Sequence, residues 1–592
     1  MLFIGGDVLI KLFREYKLKD WLVLIVTLIF TFIQVAFTMG IVTKIGEITA
    51  AINSAKTEED MANILSIGLV MVAFALGLVV VQIIVELLAS WLASDIVTNV
   101  RTKLYKRVND FSLQDLSQFS TESLITRTTN DLQQVHLALL TAFRTIFLAP
   151  IMIIASIIAL RKSDPALLST TGIWVFILVA VVVVVVLLLM PKFKIIQKLT
   201  DKLNVESREN LTGGRVVRAF SAEKYQEEKF SKVNFEFTKN QIFAGKAIAL
   251  LVPFIMFVMF ALQTTILAVS AIIIKGKGPE ALEYFNSINP MIMLANQIII
   301  SFVLLLAMIV VLPRASVAAK RINEVLDHKV SIVDPENPVP FTEKGTIEFK
   351  NVSFKYPGGD GEAISDITFK VKQGETIAFI GATGSGKTTI INMMPRLFDV
   401  TKGEVLIDGV NVKDVKQEDL RNIIGYTPQR GYLFEGDIKS NIAFSNPDMP
   451  IEQIEKAAKV AEAYEFVSKI DKGFDSHVAQ GGTNFSGGQK QRLCIARSVA
   501  KQPEILIFDD SFSALDYKTD RQVRTNIKEF DSKATRVIIA ARIGTIMDAE
   551  QIVVLDKGKM VGIGKHEDLL KTCDVYKEIA YSQLSKEELE NE

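Results

Sequence analysis

Residues 376–391 read T-I-A-F-I-G-A-T-G-S-G-K-T-T-I-I. A β-favouring apolar run enters G-x-x-x-x-G-K-[ST] at 381–388, and a segment patterned as a helix follows. Strand, glycine loop and helix in that order predict a cradle for nucleotide phosphates. Gly381, Ala382, Thr383, Gly384, Ser385 and Gly386 would turn backbone N–H groups toward the phosphates. Lys387 would reach the β and γ oxygens, the Thr388 hydroxyl could hold Mg2+, and Thr389, directly after the motif, joins the nucleotide-binding set. The helix N-terminus behind the loop adds the positive end of its dipole.

The surrounding sequence supports an α/β domain. From residue 346 onward short strands, glycine turns and helices alternate. Residues 505–516, I-L-I-F-D-D-S-F-S-A-L-D, form an apolar strand ending in two acids, Asp509 and Asp510. In F-S-G-G-Q-K-Q-R at 485–492, Ser486, Gly487 and Gly488 open a helix, so their hydroxyl and amides make a second anion site. One chain thus carries two half-sites for phosphate.

The first half of the chain is of another kind. At 592 residues, 49% of them hydrophobic, with positive mean hydropathy, the chain exceeds one ordinary core and leans toward membrane. Sixty-six basic residues balance 66 acidic ones, so no net field favours nucleic acid. Six segments are long and apolar enough for a roughly 30 Å hydrocarbon layer: 21–42, 63–93, 135–160, 166–190, 247–274 and 285–313. Charged, helix-patterned connections at 94–134 and 191–246 should project as helical hairpins.

Lys11, Arg14, Lys17 and Lys19 precede the first span, and an acidic connection follows it. The positive-inside rule therefore puts the N-terminus, and with six spans the C-terminus, in the cytoplasm. Residues 7–19 read as an amphipathic surface helix without a cleavage site. Glu86 and Arg144 are ionisable groups at span depth, as a structural pair or against a wet cavity. Cys494 and Cys573 have neither disulfide nor zinc spacing. A Pro-containing linker at 331–345 separates a membrane domain, 1–330, from a nucleotide domain, 346–592.

Further motifs follow in a fixed order: Y-T-P-Q at 426–429, the signature at 485–492, I-L-I-F-D at 505–509 and S-A-L-D at 513–516. With them the whole chain resembles a half-transporter of the ATP-binding cassette (ABC) superfamily, exporter type. The resemblance implies a six-span helical membrane domain with long cytoplasmic extensions, fused to an α/β P-loop domain with a helical signature subdomain. It implies ATP and Mg2+ as ligands, with Thr388, Gln429 and Asp509 as Mg2+ partners, Asp509 through water. Tyr356, in F-K-Y-P, would stack on adenine. Ser486, Gly487, Gly488 and Gln489 would complete a site on a second subunit packed head to tail. Segments 119–132 and 209–230 resemble the coupling loops that dock on nucleotide domains.

Two positions depart from that pattern on one chemical step. The acid after 509 is Asp510 where a Glu base is expected, and V-I-I-A-A-R-I puts Ala541 at the switch-histidine position. Asp is shorter than Glu by one methylene, about 1.5 Å, and a misplacement near 1 Å can cost roughly 100-fold in rate. Upstream of the signature, Gln480 and Gly481 replace an expected Glu and Arg. The expectation is an ATP-holding, poorly hydrolysing site in a heterodimer with a different half-transporter. That assembly resembles heterodimeric bacterial multidrug exporters, and would sit in the bacterial cell membrane and export amphipathic small molecules across the lipid bilayer. A lipid or peptide exporter and an ATP-gated channel or regulator are the alternatives.

Overall fold

A computed structural model of the chain describes residues 18–55, 57–161, 164–276, 278 and 281–584. Most of the surface helix expected at 7–19 lies outside the described residues. The chain divides into two compact units, Met1–Arg107 with Glu122–His328, and Val108–Thr121 with Lys329–Glu592.

The first unit is helical. Its long elements are α1 (Leu18–Ser54), α2 (Glu58–Asn109), then, past the short α3 (Leu113–Gln118) of the other unit, α4 (Thr121–Thr126), which runs through a π turn at Arg127–Asp131 into α5 (Leu132–Leu160). They are followed by α6 (Pro165–Thr212), the short α7 (Gly214–Ala219), α8 (Glu223–Ile274) and α9 (Ala281–Leu326). Among the described residues six helical segments are long and apolar enough to cross a membrane, and each expected span lies within one of them. The helices run well past the apolar stretches: α2 and α8 have 52 residues each, about 78 Å at 1.5 Å per residue. The ends of α6 are set by caps. Asp164 accepts from the Ala166 amide with Pro165 in the first turn of α6, and Gly213 stops that helix.

This unit is apolar on its surface. Leu76, Phe176, Leu187, Phe260 and Ile272 are all more than 60% exposed, whereas Thr27, Thr31, Ser156, Thr171 and Ser301 are buried. Several of the buried hydroxyls bond back to the carbonyl one turn earlier, as Thr31 does to Thr27 at 2.8 Å. Apolar side chains facing outward and small polar ones between helices are what a lipid solvent selects. Arg144 and Glu86 form an ion pair at 2.5 Å.

The second unit has two main sheets, besides a two-stranded ribbon that pairs Gly436–Asp437 with His477–Val478. One is antiparallel, in the order β2 (Ile364–Val371), β1 (Ile347–Phe354), β4 (Lys402–Ile407), β5 (Val410–Asn411). The other comprises β3 (Thr376–Gly381), β6 (Ile424–Thr427), β7 (Ile505–Asp509), β8 (Thr535–Ile539), β9 (Gln551–Asp556) and β10 (Lys559–Gly564), in the order β10-β9-β3-β8-β7-β6. Of its five pairings four are parallel, and only the edge pair β9–β10 is antiparallel. As expected of parallel strands covered on both faces, β7 and β8 are buried at every position. One core, including Phe349, Phe369 and Phe379, fills the space between the sheets and α10 (Lys387–Met393). The other packs the opposite face against α11 (Gly487–Ala500), α12 (Tyr517–Phe530) and the C-terminal helix Asp574–Tyr581.

The segment 331–345 has no helix or strand, yet it is fastened along its length. The Ser331 amide donates to Asp115 at 3.1 Å, Asp334 accepts from the Gln417 amide at 3.0 Å, and the Val339 amide donates to the Asp414 carbonyl at 2.8 Å. The bonds from Gln417 hold the Asp334 carboxyl below the usual carboxylate range.

Candidate functional site

Strand order assembles the site. β8 lies between β3 and β7, with Ile539 level with both Phe379 and Asp509. The chain therefore leaves the sheet at Gly381, Asp510 and Ala541 along one C-terminal edge, where open parallel sheets bind ligands.

The glycine loop is shaped by backbone needs. At Gly381 (φ 154°) a Cβ would lie 2.2 Å from the Leu555 carbonyl oxygen, and at Gly386 (φ 101°) one would lie 2.6 Å from Ile364 Cγ2. Neither position has room for a side chain, so the loop can lie flat at the strand end with its amides turned outward. Lys387 Nζ donates to the carbonyls of Gly381 and Ala382 at 2.8 and 2.9 Å, bent over the loop. Burial lowers its pKa, against the raising influence of Asp510 and Asp509. A half-buried ammonium beside this glycine loop is suited to an anionic guest that would restore its lost solvation.

Thr388 Oγ1 donates to Asp509 at 3.1 and 3.3 Å from the two carboxylate oxygens. Burial is the largest influence on Asp509 and raises its pKa, with Asp510 adding to the rise and the Thr388 bond and Lys387 opposing it. A buried carboxylate beside a hydroxyl offers two hard oxygen donors. That suits Mg2+, which commonly takes one or two carboxylates and completes its shell with substrate phosphates and water. No group of three or more His, Cys, Asp or Glu that could hold a metal by itself occurs among the described residues. Thr389 shares a 3.0 Å hydrogen bond with the Tyr356 hydroxyl, and the Tyr356 ring meets Phe354 and Phe398 edge-on. The aromatic expected at the base is thus tied to the phosphate loop.

The neighbouring strand ends are furnished differently. Asp510 lies in the left-handed region (φ 47°), which Asp enters more readily than most residues. Its amide extends the ladder to the Ile539 carbonyl at 3.0 Å. Gln429 Nε2 donates to Asp510 Oδ2 at 3.2 Å, so the structure joins Gln429 to the second acid, a contact not anticipated from sequence. Ala541 is exposed and presents only a methyl group. Its carbonyl accepts from Gln583 Nε2 at 2.8 Å, while Gln583 Oε1 accepts from the Ile543 amide at 2.9 Å. Arg542 donates to the carbonyls of Ser513 and Leu515 at 3.1 and 3.3 Å. Arg542 directly follows the switch position, whereas Gln583 carries no local motif and only the fold brings it here.

Ser486 caps α11 in a reciprocal box: its Oγ accepts from the Gln489 amide at 3.3 Å, and Gln489 Oε1 accepts from the Ser486 amide at 3.0 Å. Gly487 faces open space, and a Cβ on Gly488 would come 3.3 Å from the Ala514 carbonyl oxygen. The hydrogen bonds of Ser486 and Gln489 close on each other rather than on the loop 381–389. Gln480 and Gly481 fall in a short 3-10 turn in which Gly481 has φ 68°.

The chain matches the family described as ABC transporter over residues 364–513 and the ABC transporter transmembrane region over residues 24–302. An uncharacterized ABC transporter ATP-binding protein of Mycobacterium tuberculosis is 34% identical over 543 residues, covering 90% of this chain and 92% of that one. A putative multidrug export ATP-binding/permease protein of Bacillus subtilis is 28% identical, covering 86% and 88% of the two chains. An ATP-dependent lipid A-core flippase of Mannheimia succiniciproducens is 30% identical, covering 84% of each. A solved bacterial Atm1-family ABC exporter with ATP bound shares the fold at a TM-score of 0.78 and 22% identity, over 95% of this chain and 97% of that one. The protein belongs to the ABC transporters, as an exporter-type half-transporter in which a multi-pass membrane domain and an ATP-binding α/β domain share one polypeptide.

Proposed function

We propose that this chain is the ATP-holding subunit of a heterodimeric exporter of amphipathic small molecules. The observation that carries the reading is the contrast at one sheet edge between an intact phosphate loop and the pair Asp510 and Ala541. ATP hydrolysis needs an attacking water held in line and polarised. Asp510 is set back from the position of a Glu, and Ala541 has no hydrogen bond to give a γ-phosphate. ATP would be held by residues 381–389, with Tyr356 against the base and Mg2+ between Thr388, Asp509 and the phosphates, Gln429 sensing the ion. Hydrolysis at this site would be slow.

The signature Ser486–Gln489 retains its cap and glycines, so it can complete a site whose glycine loop, Glu and His belong to a different half-transporter. Two copies of this chain would contain two slow sites, which favours the mixed assembly. Binding of two ATP molecules would close the nucleotide domains, and hydrolysis on the partner would reopen them. The helical extensions would carry that motion into rocking of the membrane helices. The resemblance to heterodimeric multidrug exporters and the relative named for multidrug export support amphipathic cargo. With the multi-pass architecture and the charge distribution around its first span, they also support a cell-membrane location with both termini in the cytoplasm. The flippase among the relatives supports lipid as the second reading.

ATP turnover by the purified full chain tests the motor. The chain alone should bind ATP and hydrolyse it at a small fraction of an ordinary exporter's rate; a full rate from the chain alone refutes the impaired site. Uptake of a fluorescent cation by proteoliposomes containing both subunits, abolished by removing the partner's catalytic Glu, tests the cargo. Movement of a fluorescent phospholipid between leaflets in its place would transfer the assignment to lipid.

A further inference from the structure

We propose that Gln583 is a positioning residue of the nucleotide site, holding the switch loop from the C-terminal end of the chain; this rests on reading position 541 as the switch position. Gln583 makes two bonds with the backbone of that loop, giving a hydrogen to the Ala541 carbonyl at 2.8 Å and taking one from the Ile543 amide at 2.9 Å. An amide side chain that bonds both a carbonyl and an N–H two residues apart behaves like a strand edge and fixes the loop in position and direction.

The anchor is itself fixed. The amides of Gln583 and Leu584 both donate to the Ala580 carbonyl at 3.0 Å, closing the end of the helix Asp574–Tyr581. Tyr576 and Ala580 of that helix are buried, and Ile579 and Leu584 pack on the core behind the sheet. From the clamped loop, Arg542 reaches the Ser513 and Leu515 carbonyls, and Ser513 Oγ donates to the Asp510 carbonyl at 2.8 Å. A continuous set of hydrogen bonds thus runs from the chain's C-terminal segment to the loop carrying the second acid. In a chain with Ala at 541 the switch loop has no side chain to tie it to a phosphate, so its position depends on these backbone contacts.

Amide exchange on the full chain in lipid nanodiscs, without nucleotide, reads the clamp directly. Gln583→Ala should speed exchange at Ile543 roughly fivefold, the loss of about one net hydrogen bond. Gln583→Glu, which keeps an acceptor for Ile543 but cannot donate to Ala541, should leave Ile543 protected. Unchanged exchange at Ile543 in Gln583→Ala overturns the proposal, as does an equal rise across the whole nucleotide unit, which would mark general destabilisation.

The catalytic consequence is read where residue 541 has a side chain to position. In a chain carrying Asp510→Glu and Ala541→His, adding Gln583→Ala should lower kcat for ATP about tenfold, with KM changed less than twofold, because a histidine on a loosened loop is displaced by a fraction of an ångström. An unchanged kcat, or equal changes in kcat and KM, overturns the positioning role. If the two restoring substitutions bring no turnover, the impaired-site reading fails on its own, and the exchange measurement still decides the clamp.

Discussion

The loop 381–389 and the positions 510 and 541 leave the same sheet edge from strands that pair with one another, yet they are equipped for different tasks. The loop has its glycines, a bent lysine, a hydroxyl on a buried carboxylate and an aromatic tied to it. Beside it, Asp510 is occupied by Gln429, and residue 541 bonds only through its backbone. On the proposed reading, holding a nucleotide and positioning a water are separable. The first needs turned-out amides and charge, which the backbone supplies. The second needs one or two side-chain atoms at fixed reach.

The strongest way to break the contrast is to supply the missing atoms. Asp510→Glu with Ala541→His should raise ATP turnover of the full chain by about 100-fold, the scale on which a misplacement near 1 Å acts. No gain would mean that the reach of these two side chains is not what limits the site. On the holding side, Lys387→Ala removes the ammonium and should weaken ATP binding by about 2 kcal/mol, roughly 30-fold, as measured by displacement of a fluorescent ATP analogue. Binding that survives within twofold would show that the loop amides hold the phosphates without it.

Tyr356→Ala gives a smaller effect. The ring would lose its stacking on the base and its bond to Thr389, about 1 kcal/mol or roughly fivefold in ATP affinity. Tyr356→Phe separates the two contributions, because it keeps the ring and removes only the 3.0 Å bond. If Phe loses as much affinity as Ala, the hydroxyl contact to the loop matters and the ring does not.

What could be read in the sequence follows the same division. The glycine loop is a local requirement: positive φ, close approach to Leu555 and Ile364, and a lysine directly after, so its spacing alone discloses it. The spans were legible too, because hydrocarbon needs about 20 apolar residues whatever the fold. Their helices were not legible in full, since hydropathy stops at the first charges of α2 and α8 while the helical backbone continues past them. Gln583 could not be found in this way. A glutamine after an amphipathic helix carries no pattern, and only the parallel order β3-β8-β7 and the return of the C-terminal helix bring it to the switch loop. The Gln429–Asp510 contact is hidden for the same reason, since 81 residues separate the two.

The smallest expected effect comes from the other end of β7, where two acids again meet. Glu504 precedes that strand and stands beside Asp408, which is buried in the turn between β4 and β5 and accepts from the Thr346 amide at 2.7 Å. Burial, with Glu504 adding to it, pushes the Asp408 carboxyl up to about 7, against about 3.9 for an unfolded Asp. Because the folded value is the higher one, the stability contributed by the protonated form is complete below about pH 4 and is lost as the pH rises through about 7. Thermal unfolding of the nucleotide unit within the full chain should therefore show a lower Tm at pH 8 than at pH 6, a change of about 1 kcal/mol or roughly 2–4 °C. Asp408→Asn keeps an acceptor for Thr346 and removes the ionisation, so it should flatten that slope while leaving ATP affinity within twofold. An unchanged slope would place the pH sensitivity elsewhere. A slope that flattens together with a loss of ATP binding would mean that the two ends of β7 act as one unit, and the separation between holding and structural acids would fall.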